Sequence, residues 1–210
     1  MSTPDLELVT AWQRHITDDQ RCLDGLLGRH REKHRRYHTA VHVAWVVRHV
    51  EEIATAEPAE HLDEVVAAAF YHDAIYEPTY PANERASARL ARRDLDSIGW
   101  DTERVERVGT MIEATAHLAD SEPSAVTSDT AILLDADLAI LGAEPAAYST
   151  YVAGVRAEYR HLDDDEWSEG RATVVNGFLA RRAIYLTTPA LEWWEARARA
   201  NLAAELATLG

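Results

Sequence analysis

Apolar residues recur along most of this chain at helical intervals. Val43, Val46, Val47, Val50 and Ile53 follow the i, i+3, i+4, i+7 spacing that lines one face of a helix. Val105, Val108, Ile112 and Thr115 repeat it, as do Leu191, Trp194, Ala198 and Leu202. Thr188 and Pro189 stand where an N-cap and a first helical proline belong. Gly99 and Gly142 stand where helix C-terminal glycines belong. The prolines fall between the periodic stretches and act as punctuation. No run alternates as a half-buried strand does. AILLDADLAILG, from Ala131 to Gly142, is ambiguous between strand and helix, and Leu134, Leu138 and Leu141 favour helix. The longest polar connection, His117 to Asp129, is too short to divide the chain in two. The pattern predicts one all-α domain over residues 1–210, with about eight to ten helices.

Composition narrows the class. The chain has 210 residues, 47% hydrophobic and 27% charged, which is enough for a full core without staples. Cys22 is the only cysteine, so no intramolecular disulfide forms and a reducing compartment fits. No stretch reaches the roughly 20 apolar residues that span a bilayer, and no leader pattern opens the chain. These features predict a cytoplasmic protein with no membrane partner. A net charge of -15 argues against a nucleic acid polymer as partner, because phosphate backbones need clustered cations. Nothing in the composition opposes a homodimer.

The candidate chemistry is in the histidines and acids. FYHDAIYEP (Phe70 to Pro78) sets His72 beside Asp73 in a stretch otherwise fit for burial. Burying two such groups is costly unless something compensates. Taken alone, the two fit a buried hydrogen-bonded pair as well as a metal site. YHTAVH adds His38 and His42, whose i, i+4 spacing puts both imidazoles on one face if the stretch is helical. LDADLAILG adds Asp135 and Asp137, which lie about 200° apart on a helix, so only one can face a shared site. Two imidazoles and two carboxylates suit one divalent ion: Mn, Fe, Co, Ni or Zn, with Mg less preferred. Such a set leaves open positions for a reactive water.

The ordered set His42, His72-Asp73 and Asp137 resembles the H…HD…D signature of the HD-domain superfamily of metal-dependent phosphohydrolases. YHTAVH, YHDAIYEP, NERAS, DADLAILG and RAEY are similar to a bacterial branch described as predicted metal-dependent HD phosphohydrolases. The likeness runs from about Arg36 to ARANLAAEL near the C-terminus. It implies an HD-type helical bundle with the metal between core helices. It implies His42, His72, Asp73 and Asp137 as ligands, leaving Asp135 as a cap or salt-bridge partner. YHTAVHVAWV is also similar to the YHNxxHA stretch of cyclic-nucleotide phosphodiesterases, in which the first histidine protonates the leaving group. His38 then becomes a candidate general acid. Thr39 stands where those enzymes have Asn, and their long nucleotide-selecting region has no counterpart, which argues against cyclic nucleotides as substrates.

Further residues complete the expected site. Glu84 is a candidate to orient water or hold a ligand histidine, beside Asn83 as a substrate contact. His117 is a candidate substrate contact or second-metal ligand. Arg36, in the basic run RHREKHRRYH, and Arg156 are candidates for phosphate capture. The expected activity is hydrolysis of a small phosphorylated metabolite, a nucleotide in the first instance, by attack of metal-bound hydroxide on phosphorus, with Asp73 and His38 in catalytic roles. The alternatives are hydrolysis of a phosphodiester or of an alarmone-type pyrophosphorylated nucleotide, or metal-dependent nucleotide binding without turnover.

Overall fold

The computed structural model describes residues 3–117 and 126–209. In chain order the helices are α1 (Thr3–His15), α2 (Arg21–Arg29), α3 (Ala40–Ala56), α4 (Leu62–Tyr71), α5 (Asn83–Ser97), α6 (Thr102–Ala114), α7 (Ser128–Leu138), α8 (Pro145–Glu158), α9 (Asp164–Ala180) and α10 (Thr188–Leu209). There is no strand among the described residues, and they form one all-α domain. The ambiguous stretch is helical: α7 runs into a 3-10 turn at Ala139–Gly142.

A helix that is apolar all round has to be wrapped by others, and α4 is one. Every residue from Glu64 to Tyr71 is buried. Helices α1, α3, α6 and α7 all pack against it. Trp12 of α1 meets Phe70 edge-on, with ring centroids 5.2 Å apart. Glu64 is the charged residue of that buried run, and it is paired. Arg104 Nε and Arg107 donate to it, each at 3.0 Å. A buried carboxylate without such partners would carry a large desolvation cost.

Local signals set the ends of the elements. Gly99 has φ +88°, the left-handed conformation that closes α5, and Asp101 caps α6 by accepting from the Arg104 amide. Gly142 departs from the sequence expectation, since Gly99 alone among the described residues has positive φ. Gly142 is small for another reason: a Cβ there would collide with Trp194 of α10. The cap of α10 also shifts by one residue. The Thr187 hydroxyl accepts from the Ala190 amide at 3.4 Å, so Thr187 takes the capping position and Thr188 opens the helix. No helix of the described residues is long and apolar enough to cross a membrane.

The same topology gathers one set of ends. The first turn of α3, the C-terminal end of α4 and the last turn of α7 meet beside the core. His42, His72-Asp73 and Asp137 stand on those three ends.

Candidate metal centre

His72 follows the last residue of α4 and is 2% exposed. Its Nδ1 lies 2.9 Å from the Ala69 carbonyl oxygen. A carbonyl only accepts, so Nδ1 carries the proton and Nε2 presents its lone pair. His42, in the first turn of α3, brings its Nε2 to 3.1 Å from that of His72. Asp73 Oδ2 lies 3.4 Å from His42 Nε2 and 3.2 Å from His72 Nε2. Asp137 Oδ1 lies 3.3 Å and 3.4 Å from the same two nitrogens.

Those spacings are informative. Donors bonded at about 2.1 Å to one ion, in cis-octahedral or tetrahedral geometry, sit about 3.0 to 3.4 Å apart. The ligand atoms of His42, His72 and Asp73 all lie within 4.8 Å of one another, and the group can hold a metal ion. Asp137 stands outside that mutually close group, although its Oδ1 approaches both imidazole nitrogens. The fit has a second gap. His42 Nδ1 is buried and has no hydrogen-bond partner among the described residues, where a ligating histidine ordinarily donates to a carbonyl or carboxylate. The Tyr37 ring packs on His42, 4.8 Å away between centroids.

Burial alone drives both imidazoles toward the neutral form. Asp137 and Asp73 outweigh it and hold the His42 pKa above, and the His72 pKa well above, the usual histidine value. Burial likewise pushes both acids up. The imidazole of His72, with His38 for Asp73 and His42 for Asp137, holds their pKa values below the usual carboxylate range. A bound cation would replace the imidazoles as the charge partner of the two acids. The imidazoles are dry, with side chains 1% and 2% exposed, whereas those of Asp73, Asp137 and His38 are 15–19% exposed. The cluster therefore opens to solvent on its carboxylate side.

His38 lies on that open side, its Nε2 3.9 Å from Asp73 Oδ2. It is not on the helical face that its spacing suggested, because α3 starts at Ala40. A buried acid distant in the sequence holds it instead. Glu158, at the end of α8, accepts from His38 Nδ1 at 2.7 Å. It also accepts from the Arg36, Tyr37 and His38 amides at 2.6, 2.8 and 3.0 Å, and from the Tyr76 hydroxyl at 3.0 Å. Burial raises the Glu158 pKa, but the His38 and backbone hydrogen bonds win and bring it down to about 2. Sequence reasoning quoted RAEY without singling out this acid. The signal was there: Tyr148, Tyr151, Val155 and Glu158 share one helical face, and an acid on an apolar stripe calls for a partner.

Arg35 was missed for a different reason. It lies in a loop within a basic run, where no periodicity marks it. Its side chain is fully buried, donating to the backbone carbonyls of Asp73 at 2.7 Å, Ala74 at 3.1 Å and His38 at 3.1 Å. It thus ties the His38 loop to the His-Asp turn.

The remaining candidates sit apart from the four donors. Asp135 faces away from them and accepts from the Leu186 and Thr187 amides and the Thr187 hydroxyl. Asn83 uses both ends of its carboxamide on the Glu77 backbone, at 3.0 and 2.9 Å. Arg156 closes the end of α8 on the Tyr159 and Leu162 carbonyls and pairs with Asp164 at 2.8 Å. Arg36 is exposed and donates to the Lys33 and Arg35 carbonyls, both at 2.7 Å. Glu84 stands in the first turn of α5, without a hydrogen-bond or ion-pair partner among the described residues. His117 ends a short 3-10 turn, and its side chain lies outside the described residues, as does most of the polar connection that follows. A recess of about 590 Å³ between α2 and α5 contains none of the cluster residues.

Compared with protein-family models, curated proteins and solved structures, the chain matches none. What the cluster can do rests on its own chemistry.

Proposed function

We propose that the chain is a metal-dependent phosphohydrolase of the HD type, acting on a small phosphorylated metabolite of the nucleotide class. One observation carries this reading. His42, His72, Asp73 and Asp137, in that chain order, converge at 3.1–3.4 Å contacts, with His38 beside them on the open side. Two imidazoles and two carboxylates favour divalent Mn, Fe, Co, Ni or Zn over a wholly oxygen-loving ion. When bound, such a cation supplies Lewis-acid polarisation of a phosphoryl oxygen and a water acidic enough to react near neutral pH. The two carboxylates balance its charge.

The rest of the proposed chemistry belongs to the chain. Glu158 accepts from Nδ1 of His38, which fixes the tautomer and turns Nε2 toward the cluster. Protonated at both nitrogens, His38 would pass its Nε2 proton to the departing oxygen and keep Nδ1–H on Glu158, the role of a general acid. Arg35 holds the Asp73–Ala74 backbone, and so the aim of the Asp73 carboxylate. The nucleotide class of the substrate rests on the resemblance of the motifs alone.

The first experiment is metal content by elemental mass spectrometry, on wild type and Asp73→Ala, before and after adding each candidate metal. About one ion per chain in wild type, lost in the variant, is the expected result. Phosphate release from a panel of mono-, di- and triesters then follows, with His72→Ala as the control. That variant is expected to be inactive while its circular dichroism is unchanged, and full turnover in it would sink the proposal. Turnover of diesters or pyrophosphorylated nucleotides alone would select that branch instead.

A further inference from the structure

Tyr37 precedes His38 in the loop before α3, and its hydroxyl is unclaimed by the fold. Tyr76, Tyr148 and Tyr185 spend theirs on Glu158, Glu205 and the Leu138 carbonyl. The Tyr37 hydroxyl has no hydrogen-bond partner among the described residues, and it is not one of the side-chain groups sealed from solvent without one. The residue as a whole is half-buried.

This freedom is confined to the hydroxyl. The Tyr37 amide donates to Glu158 at 2.8 Å, and its carbonyl accepts from the Thr39 amide at 2.7 Å. Its Cβ passes α8 at Gly154, where an added Cβ would come within 3.1 Å of it, closer than an ordinary contact. The ring is then packed against His42, His38 and Tyr151, with centroids 4.8, 4.9 and 4.7 Å away. A side chain fixed this firmly keeps its polar tip in one place.

That place is beside the metal cluster. The ring touches one imidazole of the cluster and the imidazole of His38, which lies on the open, carboxylate side. Burial, the Tyr151 phenol and the charges of Asp137 and Asp73 push the Tyr37 pKa well above the usual phenol value, so the group is a neutral donor. A neutral O–H can hold an anionic oxygen near two carboxylates without needing a counter-charge of its own. The adjacent arginines are otherwise engaged. Arg35 is spent on the Asp73, Ala74 and His38 carbonyls, and Arg36 donates to the Lys33 and Arg35 carbonyls.

We propose that the Tyr37 hydroxyl is a substrate contact, donating to a non-bridging oxygen of the phosphoryl group while His38 serves the departing oxygen. The assignment rests on the phosphohydrolase reading and adds to it the residue that grips the transferred group. A plain aromatic wall would be served as well by phenylalanine, and that difference is the test.

The experiment uses the full chain loaded with its ion, and inorganic phosphate as the probe. Metal content is measured first in wild type, Tyr37→Phe and Tyr80→Phe, the last a change at an exposed tyrosine. All three should hold the same amount. Equilibrium dialysis should then show Tyr37→Phe binding phosphate about tenfold more weakly than the other two. In the diamagnetic Zn form with ring-labelled tyrosine, the carbon signal missing from Tyr37→Phe identifies Tyr37, and in wild type it should move as phosphate saturates. Equal affinity in the three proteins, or no phosphate bound by loaded wild type, overturns the proposal and leaves Tyr37 an aromatic wall. Weaker binding with an unmoved Tyr37 signal also overturns it, as does loss of metal in Tyr37→Phe, because the residue then acts through its neighbours. A wild type that takes up no ion is a different failure. It removes the phosphohydrolase reading, and this contact with it, before any phosphate is added.

Discussion

Glu158 shows how one residue can organise a site without joining it. Its side chain has no solvent exposure and accepts from five donors, four of them in the Arg36–His38 segment. Its folded pKa is about 2, against an ordinary value of 4.5. The sign of the linkage follows. A depressed carboxylate pKa contributes stability that is fully present above pH 4.5 and is lost as pH falls from there through about 2. The gap corresponds to about 3 kcal/mol. Glu158→Gln keeps the shape and removes the charge. Urea unfolding should therefore show the variant about 3 kcal/mol less stable at neutral pH, with the difference closing as pH approaches 2. A difference that did not change with pH would mean that Glu158 acts through shape alone. The apolar stripe of α8 made this acid findable in the sequence. Its partners were not, because they lie 82 to 122 residues away in loops.

At the scale of elements, α7 carries two acids with opposite duties. Asp135 staples α7 to the start of α10 through three donors, while Asp137 faces the two histidines. The 200° separation expected of a helix is what divides them. The two functions should separate in variants. Asp135→Ala strands the Leu186 and Thr187 donors and should cost about 3 kcal/mol, yet keep its metal. Asp137→Asn should fold and lose the metal. Both are read by unfolding and by elemental analysis of the same samples. If Asp135→Ala instead lost the metal while stable, the assignment of the two acids would reverse. The helices themselves were legible because a 3.6-residue period survives in any amphipathic segment, as in Val43 to Ile53. What was illegible lies where the period stops. His38 reads as helical by spacing but sits in the turn before α3, and Arg35 and Arg36 differ in fate through a loop geometry that adjacent letters do not encode.

Across the whole molecule, the four donors join three helices that are otherwise held by apolar packing around α4. A cation there would act as a cross-link of the folded state, since the unfolded chain scatters His42 and Asp137 far apart. Binding to the folded form alone adds stability as RT ln(1 + [M]/Kd), about 2.7 kcal/mol at a hundredfold excess over Kd. In a domain of this size that raises the melting temperature by about 5 to 10 °C. A competing account must be separated from this one. A chain of net charge -15 attracts divalent ions over its whole surface. Surface attraction is screened by salt, whereas a mostly buried site is screened far less. Melting curves with added Mn or Zn should therefore show a rise in wild type that persists in moderate salt and is absent in Asp73→Ala. An equal rise in both proteins, fading as salt is added, would place the ions on the acidic surface and return His72 and Asp73 to a buried ion-paired network.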